Sequence, residues 1–151
     1  MKIAAIINRK GTDFRTVPES ATLAEAVTTM HDEGIGSVGI VGSNPADIQG
    51  IVSQQELMAG LAQRGPHALQ LPALIFMRRQ VLFCSCDAEA SDVMLSMTRQ
   101  RFRHCVVRKS DLAIAGLVSL GDLVAALLEE ARLEAGVLRD IARGRMLSLT
   151  S

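Results

Sequence analysis

The feature that most constrains the fold is an internal repeat, because matching residues recur at a nearly constant distance along the chain. The segment SVGIV at residues 37–41 falls on HCVVR at 104–108, at the same offset that takes Met30 onto Met97. A Gly-x-x-Ser-x-x-acid pattern then occurs twice, with Gly50, Ser53 and Glu56 matching Gly116, Ser119 and Asp122. A repeat of this kind predicts two similar structural units.

Each copy predicts the same series of elements. An extended lead-in segment, RTVPES in the first copy and FCSCDAEA in the second, precedes a helix at about 23–33 or 91–101. An apolar strand, a polar turn, a second apolar strand and a second helix follow. The unit is therefore βαββα and the fold class α+β. Units this small cover their own sheets poorly, so we expect the two copies to pack sheet to sheet.

We predict the first repeat at residues 8–66 and the second at 75–132, joined by a linker that contains Gly65, Pro66 and Pro72. Residues 133–151 are predicted to form a helical tail, the end of one long helix that runs from about Leu123. Apolar residues recur on this helix at steps of three and four, namely Leu127, Ala131, Ala135, Leu138 and Ala142. Such a stripe favours packing either on its own domain or on a second copy.

Composition narrows the range of partners. The chain has 16 basic and 16 acidic side chains, so it has no net charge to attract nucleic acid or an anionic membrane. No apolar run is long enough to span a bilayer, and the N-terminal run is too short for a secretion signal. Three cysteines are too few for a disulfide scaffold. We therefore expect a cytoplasmic protein.

The repeated Ser-x-x-acid junctions are the strongest candidates for a binding site. Each serine follows a strand at the start of a helix, where backbone N–H groups favour an anion and the hydroxyl suits a phosphate oxygen. The acid three residues later offers two acceptor oxygens for the paired hydroxyls of a ribose. The same pattern is also a helix capping box, and both roles can hold. Its repetition in register favours a nucleoside phosphate.

Other reactive groups are weaker candidates. Cys84 and Cys86, with Cys105, suggest a redox or metal switch, but a thiol zinc site usually needs a second ligand pair, so we expect buried apolar roles and no metal. The Arg78-Arg79 pair is typical of a solvated surface. No histidine accompanies either serine in sequence, so no nucleophile, base and acid set is evident. We predict a binding module and not an enzyme.

The whole pattern resembles a tandem pair of CBS domains, or Bateman module, over about residues 3–128. The similarity rests on the two βαββα copies, the G-h-h-S-x-x-D/E junctions, and the phrases KGTDFRTVPESATLAEAVTTM, GIGSVGIV and RFRHCVVRKSDLAIAGLVSLGDLV. The chain is most similar to small stand-alone bacterial proteins of this family. The resemblance implies repeats packed about a pseudo-twofold axis, a disc-like homodimer, and clefts that bind AMP, ADP, ATP, NAD or S-adenosylmethionine.

The resemblance also assigns roles to residues. It places the ribose diol on Asp122 and a phosphate on Ser119, with Arg103 and His104 facing the phosphates. The adenine would lie against Lys10, Gly11, Thr12, Ile35, Gly36 and Ser37. A related second cleft would use Ser53, Glu56 and the segment with Met77, Arg78, Arg79 and Val81. In this cleft glutamate replaces the family's aspartate, so we expect weaker binding there.

These features together predict an adenine-nucleotide sensor that passes a change of shape to an unknown downstream protein. One alternative is an oligomerisation or interaction module that has no ligand. Another is a switch that depends on the cysteines.

Overall fold

The computed structural model describes residues 1–11 and 14–150, with side chains up to Arg145. Thr12, which the resemblance assigns to the ligand, lies outside the described residues. The helices are α1 (Ile3–Lys10), α2 (Leu23–Glu33), α3 (Gln54–Arg64), α4 (Ala90–Gln100) and α5 (Leu120–Thr150). The strands are β1 (Thr16–Pro18), β2 (Ser37–Val41), β3 (Ile48–Ser53), β4 (Phe83–Ser85), β5 (His104–Arg108) and β6 (Ile114–Ser119).

The two halves have the same topology, which confirms the predicted α+β fold of two repeats. Each half forms a three-stranded sheet, in the order β1-β2-β3 or β4-β5-β6. The first strand of each sheet is parallel to the second, and the second is antiparallel to the third. In register, Ser37 lies opposite Ser53 and His104 lies opposite Ser119. Both serine junctions therefore start at corresponding ends of the two sheets.

Local sequence explains where the helices begin and end. In α2 the Thr22 Oγ1 accepts a hydrogen bond from the Glu25 N–H at 3.2 Å, while the Thr22 N–H donates to Glu25 Oε2 at 3.1 Å. This capping box satisfies two N–H groups that have no partner within the helix. The helix ends at Gly34, whose φ of 64° is a left-handed conformation that glycine adopts readily.

The two sheets pack face to face, as the sequence predicts. Ile51 of the first sheet and Val106 and Leu117 of the second form one buried cluster. Phe14 and Val81, which precede the first strand of each repeat, pack against it. The inter-repeat contact is thus made of apolar strand residues, and burial of these residues stabilises the pair.

The N-terminal helix α1 was not predicted, and it belongs to the core of the second repeat. Ile3, Ile6 and Ile7 are buried in the same cluster as Met97 and Leu123. The Ile3 N–H also donates to the carbonyl oxygen of Ala88 at 3.0 Å. A first repeat that starts at residue 8 would divide this helix, so the sequence-based boundary does not follow the packing.

The segment between the repeats is packed rather than extended. It forms two 3-10 helices at Gly65–Gln70 and Ala73–Ile75, and the alanines Ala68 and Ala73 are fully buried in the core of the first repeat. The predicted linker is therefore a structured part of the first repeat. Gly65, Pro66 and Pro72 lie at the starts of these short helices. The small side chains of Ala68 and Ala73 allow the helices to pack closely on the first repeat.

The last helix is longer than its sequence pattern indicates. It begins at Leu120, directly after β6, instead of near Leu123. Residues 133–150 continue the same helix, as the sequence predicts for the tail. Within the part of the chain described, no helix combines the length and the apolar character needed to cross a bilayer.

A candidate ligand-binding cleft

The junction between β6 and α5 holds Ser119 and Asp122 in a capping box. The Ser119 N–H donates to Asp122 Oδ2 at 2.8 Å, and the Asp122 N–H donates to Ser119 Oγ at 3.0 Å. The capping role proposed as an alternative is therefore present. A hydrogen bond between the Ser119 side chain and the Asp122 carboxyl adds to this box. The hydrogen bonds from Lys10 and from the Ser119 N–H both go to Asp122 Oδ2 and not to Oδ1.

A residue from the other end of the chain completes this junction. Lys10, the last residue of α1, donates from Nζ to Asp122 Oδ2 at 2.5 Å and to the Leu117 carbonyl oxygen at 2.8 Å. The resemblance places Lys10 near the adenine, and the sequence does not reveal this ion pair because the two residues are far apart in the chain. This ion pair forms because α1 packs on the second repeat, which brings Lys10 to Asp122.

The protonation of Asp122 follows from these contacts. Partial burial works against ionisation. Hydrogen bonds from the Lys10 ammonium and from the N–H and side chain of Ser119, together with the lysine charge, outweigh it. They hold the pKa of the Asp122 carboxyl below its ordinary value. The carboxylate is therefore ionised at neutral pH and able to accept hydrogen bonds from a diol.

The corresponding junction at Ser53 is capped differently. The Ser53 N–H donates to Glu56 Oε2 at 2.8 Å, and Ser53 Oγ accepts from the Gln55 N–H at 3.2 Å. The Ser53 hydroxyl also donates to the Glu56 carboxylate. The extra methylene of glutamate lets its carboxylate reach back to this hydroxyl. The hydroxyl hydrogen at Ser53 is therefore already used.

Two cavities open at these junctions and share two residues. One cavity, of about 650 Å³, is lined by Ser53 and Gly36 among others. The other, of about 630 Å³, is lined by Ser119. Arg103 and His104 line both. These volumes lie within the range of about 300–1,000 Å³ that small-molecule sites occupy. A single pair of basic side chains therefore lies between the two candidate ligand positions.

His104 has a lowered pKa in this position. Burial is the main cause because it disfavours the charged imidazole. Among the nearby charges, Glu56 and Asp122 raise the pKa while Lys10 and Arg103 lower it. The acids of both junctions thus act on the same ring, which places His104 between the two repeats.

The register brings a serine, a histidine and an acid close together at this junction. His104 lies opposite Ser119, which the sequence alone does not show. The Ser119 hydroxyl oxygen accepts from the Asp122 amide, and the carboxylate accepts from Ser119 and Lys10. None of the hydrogen bonds among the described side chains joins His104 to Ser119.

The remaining residues assigned to the adenine divide between the two junctions. Gly11 ends α1 with a φ of 87°, next to Lys10. Ile35 and Gly36 line a third cavity, of about 380 Å³, beside Gln54 on α3. Ser37 is buried opposite Ser53. The structure therefore brings Lys10 and Gly11 to Asp122, and Ile35, Gly36 and Ser37 to Ser53.

The segment assigned to the second cleft packs along β3. The backbone of Arg78 exchanges two hydrogen bonds with Ile51, at 2.8 and 3.1 Å. A Cβ at Gly50 would lie 2.6 Å from Met77 Sδ and 2.8 Å from the Arg78 carbonyl oxygen. This close approach explains why the junction pattern has glycine at this position. Arg79 is exposed, while Val81 packs at the contact between the sheets.

The Arg78 side chain joins the two repeats. Its guanidinium lies 4.1 Å from the centre of the Phe102 ring and donates to the Arg101 carbonyl oxygen at 2.9 Å. The prediction that this arginine is merely solvated was wrong, because Phe102 and Arg101 are distant in sequence. The contact holds the end of α4 against the segment that leads into the second repeat.

The cysteines lie in the core of the second repeat. Cys105 is fully buried, and Cys84 and Cys86 are half-buried beside the same cluster. A hydrogen bond between the thiols of Cys105 and Cys84, together with burial, raises the pKa of Cys105. The described residues include no group of three or more side chains that could hold a metal ion.

Comparisons with known proteins agree with this architecture. The family model of the CBS domain matches residues 4–63 and 74–129. A CBS-domain protein from Agrobacterium tumefaciens has 30% sequence identity and a TM-score of 0.77, over 83% of this chain and 98% of that one. A protein with CBS domains from Burkholderia ambifaria has 24% identity and a TM-score of 0.76, over 85% and 95%. A CBS-domain protein from Pyrobaculum aerophilum, solved in complex with AMP, has 24% identity and a TM-score of 0.74, over 87% and 99%.

Proposed function

This chain belongs to the CBS-domain family, as a tandem pair of that regulatory module, and we propose that it binds an adenosyl ligand between its two repeats. The observation that carries the proposal is the placement of Arg103 and His104 in both cavities that open at the Ser-x-x-acid junctions. The AMP complex of the related protein from Pyrobaculum aerophilum supports the choice of ligand class. We also propose that the protein acts without catalysis, as a homodimer in the cytoplasm, on a downstream protein.

The Asp122 junction has the groups that a nucleoside phosphate requires. Asp122 Oδ2 is held by Lys10 and Ser119, which leaves Oδ1 for the ribose hydroxyls. Ser119, Arg103 and His104 line the cavity in which we propose that the phosphate lies. Hydrogen bonds in which one partner is charged are about twice as strong as neutral ones, so these contacts favour an anionic ligand with a free diol.

The Ser53 junction should bind more weakly. Its hydroxyl donates to Glu56, so a phosphate would have to displace that hydrogen bond before it gains one from Ser53. Arg103 and His104 line both cavities. The first repeat has no basic pair of its own at the matching positions, which are Gly36 and Ser37. Two phosphates beside one basic pair repel each other, so we propose that the Asp122 site fills first and disfavours a second ligand.

A ligand at this position would act on the relation between the repeats. Lys10 comes from α1 and Asp122 from the start of α5, while Arg103 and His104 also face the Ser53 junction. A ligand that binds one arrangement of these parts more tightly shifts the population towards it. The downstream protein would then recognise that arrangement.

A panel of melting temperatures tests the proposal. AMP, ADP, ATP, NAD and S-adenosylmethionine are each added to the full chain, with GMP as the control for base recognition. At one hundred times its Kd, a ligand that binds only the folded state adds about 2.7 kcal/mol, which raises the Tm of a chain of this size by about 5–10 °C. If none of the five raises the Tm at millimolar concentration, the proposal is wrong and the ligand-free interaction module takes its place.

A further inference from the structure

The helix α5 extends well beyond the second repeat. The family match ends at residue 129, whereas α5 continues to Thr150. At about 1.5 Å per residue, the part beyond the match is roughly 30 Å long. Large apolar side chains are exposed along α5, and Val124 at 49%, Leu128 at 52% and Leu138 at 67% share one side of the helix. Leu133, Val137 and Ile141 are exposed on other sides. An exposed apolar surface of this extent is typical of a protein interface.

One stripe on this helix has the spacing of a two-stranded coiled coil. Six apolar positions recur at alternating steps of four and three residues, namely Val124, Leu128, Ala131, Ala135, Leu138 and Ala142. This mean period of about 3.5 residues is the one that keeps a seam on the side of a partner helix. All six side chains are exposed. In heptad terms, Leu128, Ala135 and Ala142 occupy position a, and Val124, Ala131 and Leu138 occupy position d.

Two of the charges beside the seam lack partners on their own helix. Glu134 occupies position g and Arg139 position e of the next heptad. Neither has an opposite charge three or four residues away, which is the spacing at which side chains of one helix meet. The ion pairs found among the described residues include neither side chain. Both charges therefore remain available to another chain.

The same charges determine the direction of the partner. In a parallel coiled coil in register, position g of one helix faces position e of the next heptad in the other. Glu134 would then meet the partner's Arg139, and the pair would form twice. In an antiparallel arrangement about the same seam, Glu134 would face Glu134 of the partner subunit and Arg132 would face the partner's Arg132. Opposite charges favour the parallel form.

We propose that a second copy of this chain covers the exposed seam of α5, forming a parallel coiled coil from Val124 to Ala142 that pairs Glu134 with the partner's Arg139. The inference rests on the homodimer proposed above and adds its contact and direction. Alanine at three of the six seam positions lets the helices approach closely but buries little area in each layer. The dimer should therefore dissociate on dilution.

Val124 and Leu128, at the start of the seam, also line the Ser119 cavity. The coiled coil would therefore cover one wall of the proposed ligand site. Formation of the dimer would therefore affect the ligand cavity at this wall.

Charge exchange tests the pairing. The dimer Kd of the full chain is measured by analytical ultracentrifugation for the parent, Glu134→Arg, Arg139→Glu and the variant with both changes. Each single reversal should raise the Kd about ten-fold, because both symmetric pairs become repulsive, and the double reversal should restore it to within about two-fold. A double variant no better than the single ones would overturn the Glu134 to Arg139 pairing.

Cross-linking separates the coiled coil from any other dimer. Ala135→Cys, in the seam, should form an intermolecular disulfide under mild oxidation. Gly136→Cys is the control, since the neighbouring position points away from the seam and has open space for a side chain. The parent shows the background from its own cysteines. A monomer at every concentration would overturn both the homodimer and the coiled coil, whereas a dimer without cross-linking at Ala135→Cys would overturn the coiled coil alone.

Discussion

Replacement of Asp122 by alanine should remove most high-affinity binding of an adenosyl ligand. The carboxylate keeps Oδ1 open for the ribose diol while Lys10 and Ser119 occupy Oδ2. A hydrogen bond to a charged group contributes about 1.5–3 kcal/mol, and the low end applies here because the side chain is 29% exposed. At about 1.4 kcal/mol for each factor of ten, Asp122→Ala should weaken binding about ten-fold or more.

The matched control is Glu56→Ala, because each acid accepts the N–H of the serine that caps its helix. Calorimetric titration with AMP should show less than a two-fold change for this variant. Loss of a cap costs about 1 kcal/mol, so both variants should melt a few degrees lower without ligand, and these values show that each is folded. Equal losses of affinity for the two variants, or none for Asp122→Ala, would refute the assignment and leave both junctions as helix caps.

Three further predictions concern protonation and chemistry. Burial lowers the pKa of His104, and a bound phosphate favours the cation, so AMP affinity should rise as the pH falls below about 6.5. Calorimetry should show a flatter pH profile for His104→Gln, and parallel profiles would remove His104 from the site. The pKa of Asp122 is depressed in the folded state, so its stabilisation is present above about 3.9 and is lost as the pH falls through the folded value. The Tm difference between the parent and Asp122→Asn should therefore shrink between about pH 6 and pH 3, and a constant difference would contradict the ion pair with Lys10. Incubation with ATP or NAD followed by chromatography should show no turnover, and turnover that disappears in Ser119→Ala would establish catalysis.

The repeat made most of the fold predictable from sequence. The two βαββα units, the helix at Leu23–Glu33 and the contact between the sheets depend on local periodicity and on one comparison of the chain with itself. The capping boxes at Ser53 and Ser119 were also predictable, because a cap is a local arrangement of residues three positions apart.

Contacts between distant segments could not be predicted in the same way. The ion pair of Lys10 with Asp122 requires α1 to pack on the second repeat, which no pattern within residues 3–10 indicates. The stacking of Arg78 on Phe102 likewise depends on how the repeats dock.

A structure determined from crystals soaked in saturating AMP most directly tests the claim that the ligand binds at the Asp122 junction. It should show the ribose hydroxyls on the Asp122 carboxylate and the phosphate between Ser119, Arg103 and His104, with Lys10 still bound to Asp122. AMP density away from this junction, or an empty cleft at saturating AMP, would contradict the account.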